Sequence, residues 1–224
     1  MKGGKVMKKK RYYILLTVIL VIFASIFTMQ TVFAKENTSY KGLWDEDAGA
    51  YLITDTNDLK IFRNSLSEYD YAGKKVLLTQ NIDIKKDDDI GTVVGTTFNG
   101  YFNGQGYTIS GYRDASSGLF YTIGVDSVVT KLNLDVDVEL TQNPSCGGYA
   151  PMAYVLGGKV AYCSVTGKIH ASSEMSGFDI CGFVNMFGGD INDFDYYMQI
   201  LMGEIPYPDF MMHDCLVAVD INID

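Results

Sequence analysis

Four cysteines, a row of carboxylates and one aromatic-rich stretch are the parts of this sequence whose residue types and spacing could do chemistry. The cysteines are Cys146, Cys163, Cys181 and Cys215, and the chain has only two histidines. Their spacing matches no zinc pattern. An even count in an exported chain permits disulfides. Free cysteines would instead pack inward as small hydrophobes. Asp135, Asp137, Glu139 and Asp220 could supply the carboxylate pair of a polysaccharide-cleaving enzyme, although acids laddered on an exposed sheet are ordinarily just solvated. Asp87, Asp88 and Asp89 follow Lys85 and Lys86. They lack the alternating Asp/Asn, central Gly and distal Glu of a calcium loop, so the run reads as a solvated loop. No Ser/His/Asp or Cys/His arrangement is present; Cys163 and His170 are seven residues apart. No cofactor or metal is expected.

The aromatic-rich stretch is 190–212, DINDFDYYMQILMGEIPYPDFMM. Its candidate ligand-binding residues are Tyr196, Tyr197 and Phe210. Insertions in repeat proteins emerge as loops on one face and often carry binding. The alternative is that this one folds back over a sheet edge or an open end, since large exposed apolar patches are uncommon without a partner.

The elements that must position these residues are short strands. Ile90 to Phe120 sets apolar runs (Val93-Val94, Phe98, Tyr101-Phe102, Tyr107 to Ile109) between the turn dipeptides Asn99-Gly100 and Asn103-Gly104. Val76 to Ile84 reads as one further strand. The second half repeats. Leu132, Cys163 and Cys215 align, as do Leu134, Val165 and Val217, and Val138, Ile169 and Ile221, at steps of 31 and 52 residues. The longer step is one repeat plus the insertion. Alternation points the aligned apolar residues inward, stacked about 4.8 Å apart on neighbouring strands. That geometry brings Cys163 and Cys215 within disulfide reach; a disulfide and a stack of two free thiols are both open. Asp137, Lys168 and Asp220 form one outward ladder, and Glu139, His170 and Asn222 another. Before the strands, Thr54 to Glu68 carries Leu59, Phe62 and Leu66 at i, i+3 and i+7, behind the candidate N-caps Thr54, Asp55 and Thr56. This predicts a short amphipathic helix plugging the amino end.

Ile90-Gly91, Phe98-Asn99-Gly100, Phe102 through Gly111 and Gly118-Leu119-Phe120 resemble the opening of secreted bacterial proteins with GLUG-type repeats, found in non-catalytic regions of immunoglobulin-A proteases. The likeness runs from about Leu43 to the end. In place of Gly-Leu-apolar-Gly, the three copies here read Gly118-Leu119-Phe120-Tyr121, Gly148-Tyr149-Ala150-Pro151 and Gly182-Phe183-Val184-Asn185. The resemblance implies an all-β fold, a right-handed parallel β-helix (a solenoid), with a short amino-terminal capping helix. The expected organisation is a signal peptide over 1–34, the cap over 35–75 and the β-helix over 76–224.

The address is written at the amino terminus. Lys8 to Arg11 are basic, Ile14 to Phe27 are apolar except for Thr17 and Ser25, and Val32-Phe33-Ala34 offers a cleavage site after Ala34. The apolar run is shorter than a membrane span, though retention as an anchor is the alternative. Residues 1–34 hold six Lys/Arg and no acid, which leaves 12 basic against 27 acidic residues, net −15. This acidity argues against nucleic acid as a partner. The expectation is a secreted or cell-surface, adhesin-like, non-catalytic scaffold. Its partner would be an extracellular glycan or a host or cell-surface protein, with end-to-end self-association as a further contact. The other two readings are a carbohydrate-active enzyme and a purely structural stalk segment.

Overall fold

The computed structural model describes residues 40–144, 147–175, 177–187 and 211–223. The chain divides into two units, 1–42 and 43–224. Almost all of the first, including the expected signal peptide, lies outside the described residues. Among the described residues the second is rich in strands, has one α-helix, and builds sheets that are almost wholly parallel.

An antiparallel pair opens it: β1 (Trp44–Asp45) and β2 (Ala50–Ile53). Helix α1 (Thr56–Ser65) follows, two residues shorter at its start and three at its end than the sequence pattern suggests. Of the three candidate caps, Asp55 is the one used; its carboxylate accepts from the Asp58 N–H at 2.9 Å. Leu59, Phe62 and Leu66 are all buried. The chain then runs through β3 (Lys75–Leu78), β4 (Ile82–Asp83) and β5 (Thr97–Phe98). A second pass gives β6 (Tyr101–Asn103), β7 (Thr108–Tyr112) and β8 (Phe120–Ile123). A third gives β9 (Val128–Thr130), β10 (Asn133–Leu140), β11 (Gly148–Tyr149) and β12 (Ala153–Leu156). A fourth gives β13 (Lys159–Ala161), β14 (Ser164–Ala171), β15 (Asp179–Ile180) and β16 (Val184–Phe187). Last come β17 (Met211–His213) and β18 (Leu216–Ile223).

Each pass visits the sheets in the same order. The first sheet is β1-β2-β3-β6-β9-β13-β17, the second β4-β7-β10-β14-β18 and the third β5-β8-β12-β16, with β11-β15 as a small fourth. One sequence expectation is corrected. Val76 to Ile84 is not one strand: the change from an apolar run to alternation marks a corner at 79–81, and the two halves join different sheets. The parallel pairing also begins before 76, because β2 lies in register with β3, Tyr51 opposite Val76.

In-register stacking builds the core as columns of like residues. Ile82, Ile109, Leu134 and Val165 succeed one another across the second sheet and all are buried. Val76, Phe102, Val129 and Val160 do the same in the first. Each such side chain contributes roughly 1.5–3 kcal/mol relative to exposure. Near α1 the filling is aromatic. Phe62 meets Phe98, Phe102 and Phe120 at centroid distances of 5.8, 5.7 and 6.2 Å, so the helix side chain is seated between strands of two sheets.

Candidate functional site

The outward face of the second sheet collects the polar ladders. Pairing places Asp135 opposite Thr166, Asp137 opposite Lys168 and Glu139 opposite His170. Thr166, Lys168 and His170 in turn face Ala218, Asp220 and Asn222. The repeat alignment read from the sequence therefore coincides with the spatial register. Strand alternation exposes Asp135, Asp137 and Glu139 while Leu134, Val136, Val138 and Leu140 are buried. Neighbouring rungs are tied sideways by side chains. Ser164 Oγ donates to Asn133 Oδ1 at 2.7 Å, and Asn133 Nδ2 donates to the Gly106 carbonyl at 2.8 Å. Arg113 pairs with Asp137 at 3.1 Å. Just before Arg113, β7 shifts register against β10 between Ile109 and Tyr112, around Gly111 at φ +69°. A Cβ at Gly111 would meet the Ile84 carbonyl oxygen at 2.5 Å.

Asp137, a candidate catalytic carboxylate, is thus held in an ion pair, while Asp135 accepts a longer contact from Thr166 Oγ1 at 3.4 Å. Two carboxylates of the Asp87–Asp89 run are engaged within the protein. Asp88 accepts from the Lys85 N–H, and Asp89 accepts from the Gly91 N–H and pairs with Lys60 at 2.6 Å. Among the described residues no three His, Cys, Asp or Glu side chains converge as a metal site. No helix among them is long and apolar enough to cross a membrane.

At the corner between the first and second sheets, Lys131, Tyr162 and Asp214 hold φ of +52°, +56° and +52°. They occupy the same place in three successive passes. The Tyr162 side chain stands out at this corner, with its ring edge-on to His213 at 5.3 Å.

Cys163 and Cys215 follow these corners immediately. Both are free thiols in this structure, so the disulfide expected as one of their two states is not formed. Cys163 Sγ donates to Ala161 O at 3.3 Å and lies 3.8 Å from Val129 O. Cys215 Sγ donates to His213 O at 3.3 Å and lies 3.7 Å from Val160 O. Burial pushes the Cys163 thiol up to about 12 and raises that of Cys215. Cys181 is also free. Tyr196, Tyr197, Phe210 and Cys146 lie outside the described residues.

Arg63 was not singled out in the sequence, yet it organises the interior beside α1. Its guanidinium is fully buried. It donates to the carbonyls of Ile90, Gly91 and Gly118 at 3.2, 3.0 and 3.3 Å, to Tyr112 Oη at 3.2 Å and to Asp114 Oδ2 at 2.6 Å. Burial opposes its charge, but Tyr112 and the Asp114 carboxylate outweigh that and hold its pKa above the ordinary value. Tyr112 passes the chain on by donating to Ser117 O at 3.2 Å. The sequence signal was Arg63 standing at i+4 from Leu59, on the helix's buried face. This cluster fastens the helix to the loop ahead of β8, with only the Asp114 side chain partly exposed.

Compared with known proteins, the chain matches no family model, no curated protein and no solved structure.

Proposed function

We propose that the parallel sheets are the faces of a right-handed parallel β-helix and that the protein is an exported, adhesin-like binding scaffold without catalytic activity. It recognises an extracellular glycan or a cell-surface protein along the outward face of the second sheet. The cyclic order in which four successive passes each add one strand to the first, second and third sheets supports the coil. The handedness and the export follow the GLUG-type resemblance and the amino-terminal pattern. One observation carries the binding reading: outward rows of mixed character, Asp135/Thr166, Asp137/Lys168/Asp220 and Glu139/His170/Asn222, exposed except for the half-buried Thr166 and His170, are fixed in register by the ladder beneath them. The ladder fixes the backbone beneath these side chains, so binding has to order their rotamers but not the strands that carry them.

The test is a screen of the exported chain against immobilised glycans and cell-surface proteins, followed by titration of the best ligand. Lys168→Ala and Asp135→Ala should each weaken binding about tenfold, the loss of one charged hydrogen bond. Binding untouched by either substitution would move recognition off this sheet. Release of shortened sugar products would overturn the non-catalytic reading in favour of a carbohydrate-active enzyme.

A further inference from the structure

Cys163 and Cys215 sit in environments that repeat one strand apart. Each thiol donates to the carbonyl two residues before it, Ala161 or His213, and those residues are register partners. Each also approaches one carbonyl of the preceding pass, Val129 or Val160, and those are register partners too. The residues that follow the two cysteines, Ser164 and Leu216, pair directly, and the Leu216 N–H donates to the Cys163 carbonyl at 3.0 Å. The two side chains are therefore related by one strand spacing, about 4.8 Å. That falls within the 4.4–6.8 Å Cα separation of disulfides, and the Cβ atoms need close by only about half an ångström to reach the usual range. Cys163 is 2% exposed, while Cys215 is half-buried.

The geometry points to a redox cross-link: Cys163 and Cys215 form a disulfide that staples the β17–β18 pass to the pass before it, and the structure holds its reduced form. The reaction is thiol–disulfide exchange with a disulfide-bearing oxidant. The more exposed Cys215, as thiolate, attacks the oxidant's disulfide and expels one oxidant thiolate, leaving a mixed disulfide. The Cys163 thiolate then attacks Cys215 Sγ and expels the second. The protein loses two protons and two electrons, and the oxidant is reduced to two thiols. The cross-link spans 52 residues of sequence, including the whole insertion, so the unfolded chain loses much of its freedom when it closes. It holds β18 to β14 whatever the insertion does.

The experiment equilibrates the full chain with oxidised and reduced glutathione mixtures, then alkylates and digests it without reduction. Trypsin cuts after Lys168 and a Glu-specific protease after Glu174 and Glu204, which separates Cys163, Cys181 and Cys215 onto different peptides. The expected product links the Cys163 peptide to the Cys215 peptide and is lighter by two hydrogens. It melts about 5 °C or more above the reduced chain, and β18 amides exchange at least tenfold more slowly. The Cys146→Ser/Cys181→Ser variant should give the same link, and Cys163→Ser should abolish it. If both thiols stay open to alkylation on unfolding after equilibration with oxidised glutathione, or if the bonds formed involve Cys146 or Cys181, the proposal fails. Mapping on the unsubstituted chain decides this even where a variant does not fold.

Discussion

Replacing Arg63 by Met tests whether a buried charge, and not the apolar stripe alone, fastens α1 to the sheets. The substitution keeps an unbranched side chain of similar reach but removes five donated hydrogen bonds. Three backbone carbonyls and the Tyr112 hydroxyl lose a donor. Asp114, whose side chain is 11% exposed, loses its cation. Breaking a buried pair from one side costs roughly 3–5 kcal/mol. Asp114 keeps two bonds from Ser116 through its other oxygen and reaches some water, which puts the cost near the lower bound, about 3 kcal/mol. At roughly 2–4 °C per kcal/mol for a domain of this size, the melting midpoint should fall by about 6–12 °C. Urea unfolding followed by the fluorescence of Trp44, the one tryptophan, reads the same quantity directly. Arg63→Lys keeps the charge without the planar fork and should recover part of the loss. Combining Arg63→Met with Asp114→Asn should cost less than the sum of the two by 1 kcal/mol or more, since the second change removes the stranded charge. If Arg63→Met unfolds within 1 kcal/mol of the unsubstituted chain, desolvation cancels the cluster's gain and the helix is held by Leu59, Phe62 and Leu66 alone.

Three further outcomes follow from the same geometry. Lys131 holds φ +52°, a region that costs most L-residues about 1 kcal/mol and that Asn tolerates; Lys131→Asn should raise the urea midpoint by the equivalent of about 0.5–1 kcal/mol, and a drop would show that the corner does not carry this strain. Gly167 lies in the middle of β14 at φ +113°, where a Cβ would meet Val136 O at 2.0 Å; Gly167→Ala should destabilise by more than about 2 kcal/mol, and a neutral result would refute the close approach. For the reduced chain, the Cys163 thiol pKa of about 12 stands above that of an unfolded cysteine, so the native state holds its proton longer. Stability should be full below about pH 8.5 and fall as pH rises towards 12, by at most about 1.4 kcal/mol per unit; Cys163→Ala should flatten that alkaline limb, and an unchanged limb would contradict the burial argument.

Much of the register was legible in the sequence because parallel in-register pairing makes sequence alignment and spatial adjacency the same thing. Placing Leu134, Val165 and Val217 in one column requires only that the copies be lined up, and the ladder pairs them so. The corners were less legible, for two different reasons. Asn99-Gly100 and Asn103-Gly104 read as turns, yet Asn103 closes β6 and the positive φ falls on Gln105 and Gly106, not on any of those four residues. Lys131 and Tyr162 bend with side chains that carry no turn signal, and only Asp214, the third at this corner, is a residue type that favours it. There the bend is imposed by strands on either side that are already paired, so tertiary contacts override local preference.

Arg63 was hidden by the opposite effect. Its position, i+4 from Leu59 and one residue after Phe62, lies on the buried stripe, but a charged residue there reads as solvent-facing unless its partner is known. That partner, Asp114, is 51 residues away in a loop with no periodicity to place it. A pattern of period two or 3.6 finds residues that want to leave water; it has no term for a charge that leaves water because another charge is waiting. The outward ladders raise the same difficulty for function. Asp137, Lys168 and Asp220 are legible as a row, but whether a row of exposed charges is a binding surface depends on a ligand's charges, which lie outside the sequence. The fold is therefore written in the spacing of the apolar residues, whereas the recognition proposed for Lys168 has to be read from a binding measurement.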